Sequence, residues 1–518
     1  MTLAELIEPL DVVERIGNLR AEVLDVTDDS REVKPGSLFV AVRGERVDGH
    51  SFVSKAIEKG AVGIAVEEPI QAETCGGLKK EGEVASSPAV VRVKNSRAAL
   101  GVLAHRFYQN PSQKLFLVGV TGTNGKTTVT HLCQALLENG GRKAGLIGTV
   151  GYFIQSERYS ATHTTPGSVV LQSLLAKMVD LGLDSAVLEV SSHALSLDRV
   201  AGCEFDTVVF TNLSQDHLDF HPNMEEYFQA KLRLFTELVR GGSKRGPKRA
   251  IVNVDDGWGN RIVENSRVPV WRYSIRAESD LQAKGIALSI DGTRFTALTP
   301  MGPIEVRSPL VGEPNVYNLL AAIGVGLQAG LSPSTLQQGF PTFKTVPGRF
   351  ELVDEDQNFS VVVDYAHTED ALAGLLATAR TLNRGRVLTV FGCGGDRDRG
   401  KRPKMGRVAA MQSDLVYLTS DNPRSEDPLA ILREIEQGVL TVPEGSRAQY
   451  QVIPDRSKAI AAAVWEARSG DMVLIAGKGH EDYQLVGADR LHFDDRESAR
   501  QALASLSHRG SNCREVVN

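Results

Sequence analysis

Residues 119 to 128 read GVTGTNGKTT, between the apolar run KLFLV and an amphipathic stretch that ends at an Asn139-Gly140-Gly141 stop signal. Strand, glycine loop and helix in that order restrict the chain to a nucleotide-binding α/β sheet. The backbone N–H groups of Gly122, Thr123, Asn124, Gly125 and Lys126 can surround a triphosphate at the start of the helix. Lys126 can neutralise the β and γ phosphates, and the Thr127 hydroxyl, followed by Thr128, can hold Mg²⁺. Five residues rather than four separate Gly119 from Gly125, so the strict GxxxxGK[ST] spacing is not met. The context still predicts ATP or another nucleoside triphosphate as ligand.

At 518 residues the chain exceeds a single core, and roughly one domain per ~150 residues predicts three. Lys plus Arg number 58 against 64 Asp plus Glu, a net charge of −6 without long blocks of one sign. That balance points to small-molecule partners rather than nucleic acid or a membrane surface. Cys75, Cys133, Cys203, Cys393 and Cys513 are scattered without CxxC spacing, which argues against a disulfide framework or a zinc site and for a reducing compartment. The start, MTLAELIEPLDVVERIG, has no basic segment leading into an apolar core, and no apolar run reaches the ~18 residues of a bilayer span, so the expected location is the cytoplasm.

Up to about Pro111, short strands such as GSLFVAV and AVGIAV mix with short helices such as FVSKAIEKG. From KLFLVGVTGTNGKTT onward, the strands AGLIGTV, SAVLEVSS, TVVFTNLS and RAIVNV alternate with amphipathic stretches, predicting a mostly parallel sheet covered by helices. After FKTVPGRFE a third run places strands at SVVVDYA, RVLTVFG, DLVYLTS and DMVLIAG, the period of a Rossmann-like, doubly wound sheet. The expected fold is therefore α/β in three domains: residues 1–112, a small N-terminal domain; 113–346, a central phosphate-loop domain; and 347–518.

Two further clusters stand at predicted strand ends, where ligands of open α/β sheets gather. LEVSSHAL supplies Glu189, Ser191, Ser192 and His193, and FTNLSQDHLDFHPNMEEYFQAK supplies Asn212, Asp216, His217, Asp219 and His221 before a helix carrying Lys231. Each residue alone has an ordinary structural explanation; together, after two strands of a nucleotide-binding sheet, they point to Mg²⁺ and substrate handling. A serine hydrolase is disfavoured because the GxSxG elbow is absent. The third cluster, TSDNPRSEDP at 419 to 428, leaves an apolar strand through an acid, an amide, a proline and an arginine. In isolation it reads as a proline turn capped by Asp421.

The ordered motifs GVTGTNGKTT, TTP at 164 to 166, EVSSHAL, TNLSQDHLDFH, YFQAK, GEPNVYN, VPGRFE, VDYAHTEDAL, FGCGGDRDRGKRPKMG, DNPRSEDP and AGKGHEDYQ resemble the Mur ligases of peptidoglycan synthesis. The resemblance runs from DDSREVKPGSLFVAVRG near residue 28 to about residue 484, and is strongest to members that add meso-diaminopimelate to UDP-N-acetylmuramoyl-L-alanyl-D-glutamate. It implies an ATP- and Mg²⁺-dependent ligase acting through an acyl phosphate; a monomer is expected. The three domains would bind the UDP end of the substrate, ATP and the incoming amino acid respectively.

Residue by residue, the resemblance implies that Thr127 and Glu189 hold one Mg²⁺ and that His217 helps hold a second, with Lys231 as a metal-ligating carbamate, N6-carboxylysine. Lys126 would act with them in catalysis. It implies uridine contact by Ser30 and muramoyl-dipeptide contact by Thr164, Thr165, Ser191 and Arg199. Asn315 and Asn318 would lie on the adenine side, and Arg349, Asp364 and His367 would be the third domain's contribution to nucleotide binding. Arg397, Asp421, Asn422, Arg424, Gly477 and Glu481 would bind diaminopimelate. Leu197 departs from a polar contact in some members, and Glu369 from a proline common after DYAHT. A ligase for L-lysine, a folylpolyglutamate synthetase and a slow nucleotide-gated binding protein are the competing readings. DNPR weighs against the first, the uridine-type N-terminal segment against the second, and the third leaves DRDRGKRPKMG and DNPR without a role.

Overall fold

The computed structural model describes residues 1–44, 47–70, 88–239 and 242–512, with the side chains of 507–512 excepted. Cys75 and Cys513 lie outside the described residues; Cys133, Cys203 and Cys393 are free, buried thiols. Three large sheets follow one another along the chain. The first has five strands in the order Val12–Ile16, Ala89–Val93, Gly63–Val66, Ser37–Val40 and Asp25–Thr27; the Val12–Ile16 pairing is antiparallel and the others parallel.

The second sheet has eleven strands. At its centre Phe116–Thr121 pairs in parallel with both Ser185–Glu189 and Thr207–Phe210. These strands are almost wholly buried because helices cover both faces, which is why they read as unbroken apolar runs rather than alternating ones. The register sets Glu189 beside Val120 and Phe210 beside Thr121, so three strand ends come level at the carboxyl edge. Antiparallel additions at both margins, Tyr152–Ile154 with Glu157–Tyr159 and Leu281–Ser289 with Gly292–Leu298 and Ile304–Ser308, are not evident in the apolar-run pattern. Two of these strands are only three residues long, Gly292–Leu298 and Ile304–Ser308 largely alternate buried and more exposed positions, and Leu281–Ser289 buries only its first three residues before running out into solvent.

Helix Lys126–Asn139 follows the central strand and buries Val129, Leu132, Cys133, Leu136 and Leu137. That i, i+3, i+4, i+7, i+8 stripe fits its 3.6-residue period. It stops at Gly140-Gly141, where Gly141 takes φ +85°. The third sheet runs Glu351–Leu352, Ser360–Asp364, Met472–Ala476, Val387–Phe391, Leu415–Leu418 and Gln449–Val452, all parallel except the first pairing. Glu369 opens the helix Glu369–Leu382, capped by the Thr368 side chain, so this departure from proline places a carboxylate at the helix start, where it is favourable. No helix among the described residues is long and apolar enough to cross a membrane.

Candidate active site

One cavity of about 550 Å³ lies where the carboxyl edges of the second and third sheets face each other. The loop after Phe116–Thr121 enters it first. Gly122 at φ +148° and Gly125 at φ +86° take conformations that disfavour side chains, and there is no room for one: an added Cβ would lie 1.9 Å from Thr211 Oγ1 or 2.5 Å from Asn318 Oδ1. Asn212 braces the loop by accepting from the Asn124 N–H at 2.9 Å. Lys126 Nζ donates to the carbonyls of Gly122 and Thr123 at 2.9 and 2.8 Å. Lys231 Nζ, on the helix Met224–Arg233, donates to the same Gly122 carbonyl at 2.9 Å and lies 4.5 Å from the Tyr227 ring centroid. Burial pushes both ammonium groups down in pKa, Lys231 far below the usual lysine range, with Lys126 adding to the effect.

Glu189 ends the neighbouring strand and collects hydroxyls. It accepts from Thr127 Oγ1 at 3.1 Å, from the Thr149 N–H at 2.8 Å and from Thr149 Oγ1 at 3.1 Å. Thr149 Oγ1 meets Thr164 Oγ1 at 3.0 Å, while Thr165 Oγ1 donates to the Glu189 carbonyl at 2.7 Å and Arg199 donates to the Thr165 carbonyl at 3.0 Å. Ser191 caps a short helix by accepting from the Ala194 N–H. Thr164, Thr165, Ser191 and Arg199 therefore join one network around Glu189, with Thr165 Oγ1 also 3.4 Å from Ser191 Oγ. Thr149, which follows the AGLI strand, was missed; the strand-end rule applied there would have found it.

The third sheet supplies the facing wall. Arg349 Nη2 donates to Thr127 Oγ1 at 3.0 Å, with its guanidinium 4.5 Å from the Tyr365 ring centroid. Asp364 is not among the residues lining the cavity and accepts from the Phe350 and Ala366 N–H groups. Asp216 is buried where the two sheets meet, with His217 Nε2 at 3.4 Å, His367 Nε2 at 3.6 Å and Lys401 Nζ at 3.8 Å. Burial opposes its ionisation, yet these groups outweigh burial and hold its carboxyl well below the usual range. His217 is driven down to about 3 by burial and stays neutral, able to offer a ring nitrogen to a ligand. Lys401 was inside a quoted motif without an assigned role.

The four strand ends at Asp364, Phe391, Leu418 and Ala476 lead into the loops carrying His367, Arg397, Asp421 to Arg424, and Gly477 to Glu481. Arg397, Asp421, Asn422, Arg424, Gly477 and Glu481 all line the cavity. Arg424 takes φ +51° and donates to the Gly395 carbonyl at 2.7 Å. The DNPR segment is not a free turn: Arg424 exchanges backbone bonds with Leu485 of the hairpin strand Tyr483–Val486 and with Gly487, which follows it. Asn318 touches Gly125 and donates to Asn315, but neither asparagine lines the cavity; Gly122, Thr128 and Thr165 are also outside its lining. Ser30, buried in the segment between Asp25–Thr27 and Ser37–Val40, is outside it too.

A phosphate loop, a carboxylate collecting hydroxyls and a charged loop system from a third sheet thus share one chamber. Three family descriptions match in the same order: Mur ligase family, catalytic domain, over residues 23–108; Mur ligase middle domain over 120–326; and Mur ligase, glutamate ligase domain, over 348–479. The chain belongs to the Mur ligase family. Among its relatives, the UDP-N-acetylmuramoyl-L-alanyl-D-glutamate–2,6-diaminopimelate ligase of Geobacillus thermodenitrificans is 47% identical over 95% of this Mur ligase and 96% of the relative. The protein of that name from Geobacter metallireducens is 42% identical over 98% and 100% of the two chains. A solved structure of a ligase with that name is 32% identical, with TM-score 0.69 over 98% and 99%. The MurF ligase of Thermotoga maritima, at 19% identity and TM-score 0.59 over 93% and 97%, shares the fold.

Proposed function

We propose that this Mur ligase joins meso-diaminopimelate to the D-glutamyl carboxylate of UDP-N-acetylmuramoyl-L-alanyl-D-glutamate at the expense of ATP, in the cytoplasm. The observation that carries the reading is the single cavity that Lys126, Thr164 and Arg424 line together; transfer between three ligands needs them in one chamber. The names of the full-length relatives support the same pair of substrates. In this reading residues 1–112 hold the uridine end, with Ser30, residues 113–346 hold ATP, and residues 347–518 bring the amino acid.

The first step breaks the bond between the γ-phosphorus and the β-bridging oxygen and forms one from that phosphorus to a carboxylate oxygen, releasing ADP. The amine then attacks the acyl carbon, the bond from that carbon to the phosphate oxygen breaks, and phosphate and a proton leave. Two anions must approach in the first step, so the work of the site is positioning and charge compensation. Lys126 serves the β and γ phosphates, Arg349 approaches the same place from the third domain, and Thr164 and Arg199 orient the dipeptide.

Mg²⁺ fits the donors at hand. Among the described residues no three His, Cys, Asp or Glu side chains gather as a metal cluster. The Thr127 hydroxyl and the Glu189 carboxylate, 3.1 Å apart, are hard oxygen donors that leave room for phosphate oxygens and water. Bound there, Mg²⁺ would supply countercharge to the triphosphate. His217 and Lys231 belong to the same set if Lys231 is carbamylated. Its burial supports that modification, because a lysine kept uncharged retains the lone pair that CO₂ takes up.

The test is phosphate release measured with each substrate omitted in turn. Release is expected only when ATP, the UDP-dipeptide and meso-diaminopimelate are all present, and to disappear in Lys126→Ala. Hydrolysis indifferent to the other two substrates would favour a nucleotide-gated binding protein instead.

A further inference from the structure

Lys478 is fully buried, yet it is not part of the cavity wall. Its Nζ lies 3.2 Å from Asn422 Oδ1 and 3.2 Å from Glu481 Oε2, with the Tyr483 ring centroid at 5.5 Å. The Asn422 amide is engaged at both ends: Oδ1 also accepts from the Leu485 N–H at 2.9 Å, and Nδ2 donates to Glu481 Oε2 at 2.8 Å. Turning the amide over would set its NH₂ against an ammonium and an N–H, so Lys478 fixes which way Asn422 faces. The lysine thus joins two loops that meet only in space, one after Leu415–Leu418 and one after Met472–Ala476.

Charge gives this brace its purpose. Asp421 and Glu481 are two carboxylates in one largely buried pocket, and such pairs tend to retain a proton. Burial and Asp421 push the Glu481 carboxyl up, and Lys478 and Asn422 pull it back. With the nearby Arg456 neutralised by Asp495 at 2.7 Å, the two carboxylates and the Lys478 ammonium together leave one net negative charge, matched to one ammonium group of an incoming amino acid. An apolar residue at 478 would leave either two like charges repelling each other or a protonated Glu481, and both are poorer receptors for that group.

We propose that Lys478 is a positioning residue for amino-acid selection: it acts through Asn422 and Glu481 to set the spacing and charge of the ammonium receptor without touching substrate or nucleotide. This rests on the ligase reading above. The lysine's role is confined to the third domain, so its effect is confined to one substrate.

The experiment measures phosphate release by the full-length enzyme while one substrate at a time is varied. Lys478→Met is expected to raise KM for meso-diaminopimelate by ~10- to 100-fold, the scale for leaving a buried charged group without its partner. At saturating amino acid, kcat should stay within about threefold, and KM for ATP and the UDP-dipeptide should not move. Lys478→Arg should recover part of the loss. In a Glu481→Gln background, Lys478→Met should cost far less than in the wild type, since residues that act as a unit are not additive. If Lys478→Met does not fold, Lys478→Gln carries the same expectations. An unchanged amino-acid KM in the neutral variant, a rise in all three KM values together, or full additivity with Glu481→Gln overturns the inference. Failure of the ligase reading would be seen separately, as wild-type enzyme indifferent to meso-diaminopimelate.

Discussion

Arg349 and Thr127 are 222 residues apart in sequence, and the guanidinium of one donates to the hydroxyl of the other at 3.0 Å. Thr127 passes the interaction on to Glu189, so the third domain is tied to the residues proposed to hold Mg²⁺. Asn124 with Asp370, and Gln215 with Asp398, add hydrogen bonds across the same seam at 3.1 Å each. Arg349→Ala is expected to loosen this closure: small-angle scattering should give a larger radius of gyration with ATP and substrate bound, and kcat/KM should fall by roughly 10- to 100-fold. Scattering profiles and kinetics identical to those of the wild type would sink the closure argument.

Lys231→Ala is expected to lose most activity and to regain part of it with added short-chain carboxylic acids. The vacated space lies next to the Gly122 carbonyl and the Tyr227 ring, and a small carboxylate would restore the anion that the carbamate provides. Mass spectrometry of gently prepared enzyme should find the added mass of CO₂ on the Lys231 peptide. An active alanine variant together with unmodified wild-type lysine would refute the carbamate.

Arg424 is held at positive φ with its guanidinium on the cavity wall. A planar fork is suited to gripping the second carboxylate of diaminopimelate, which lysine lacks. Selection against L-lysine is expected to approach ~10⁴ in kcat/KM, less if water enters the pocket. Arg424→Ala should erase most of that preference. Values for the two amino acids within tenfold of each other in the wild type would contradict the assignment.

Acid should destabilise the fold through histidines that burial keeps neutral. His105 and His131 are each lowered to about 4, and His480 to about 3, burial being the main cause. An unfolded chain binds those protons near pH 6.5, so the stability they allow is complete above that value and declines as pH falls toward 4. Each contributes a slope of up to ~1.4 kcal/mol per pH unit in that window. Urea midpoints should therefore fall between pH 7.5 and 5. A flat profile would mean that these rings already carry protons in the folded state.

Much of the molecule was legible in the chain itself. The loop GTNGKTT, the helix behind it and the apolar strands that carry Glu189, His217 and Asp421 at their ends follow from local rules, because glycine freedom, periodicity and strand burial act over a few residues. The identity of the residues around Asp216 does not. Lys401 reaches it from 185 positions away, and only the packing of one sheet edge against another sets that distance. Asn422 shows the same division. The resemblance assigned it to the incoming amino acid; the fold shows in addition that both ends of its amide are bound to Lys478, Glu481 and Leu485. Residue type determined which chemistry each loop could offer. The tertiary structure decided which polar groups are already taken by one another and which remain turned toward the cavity, because hydrogen bonds and charges are satisfied by neighbours in space rather than in sequence.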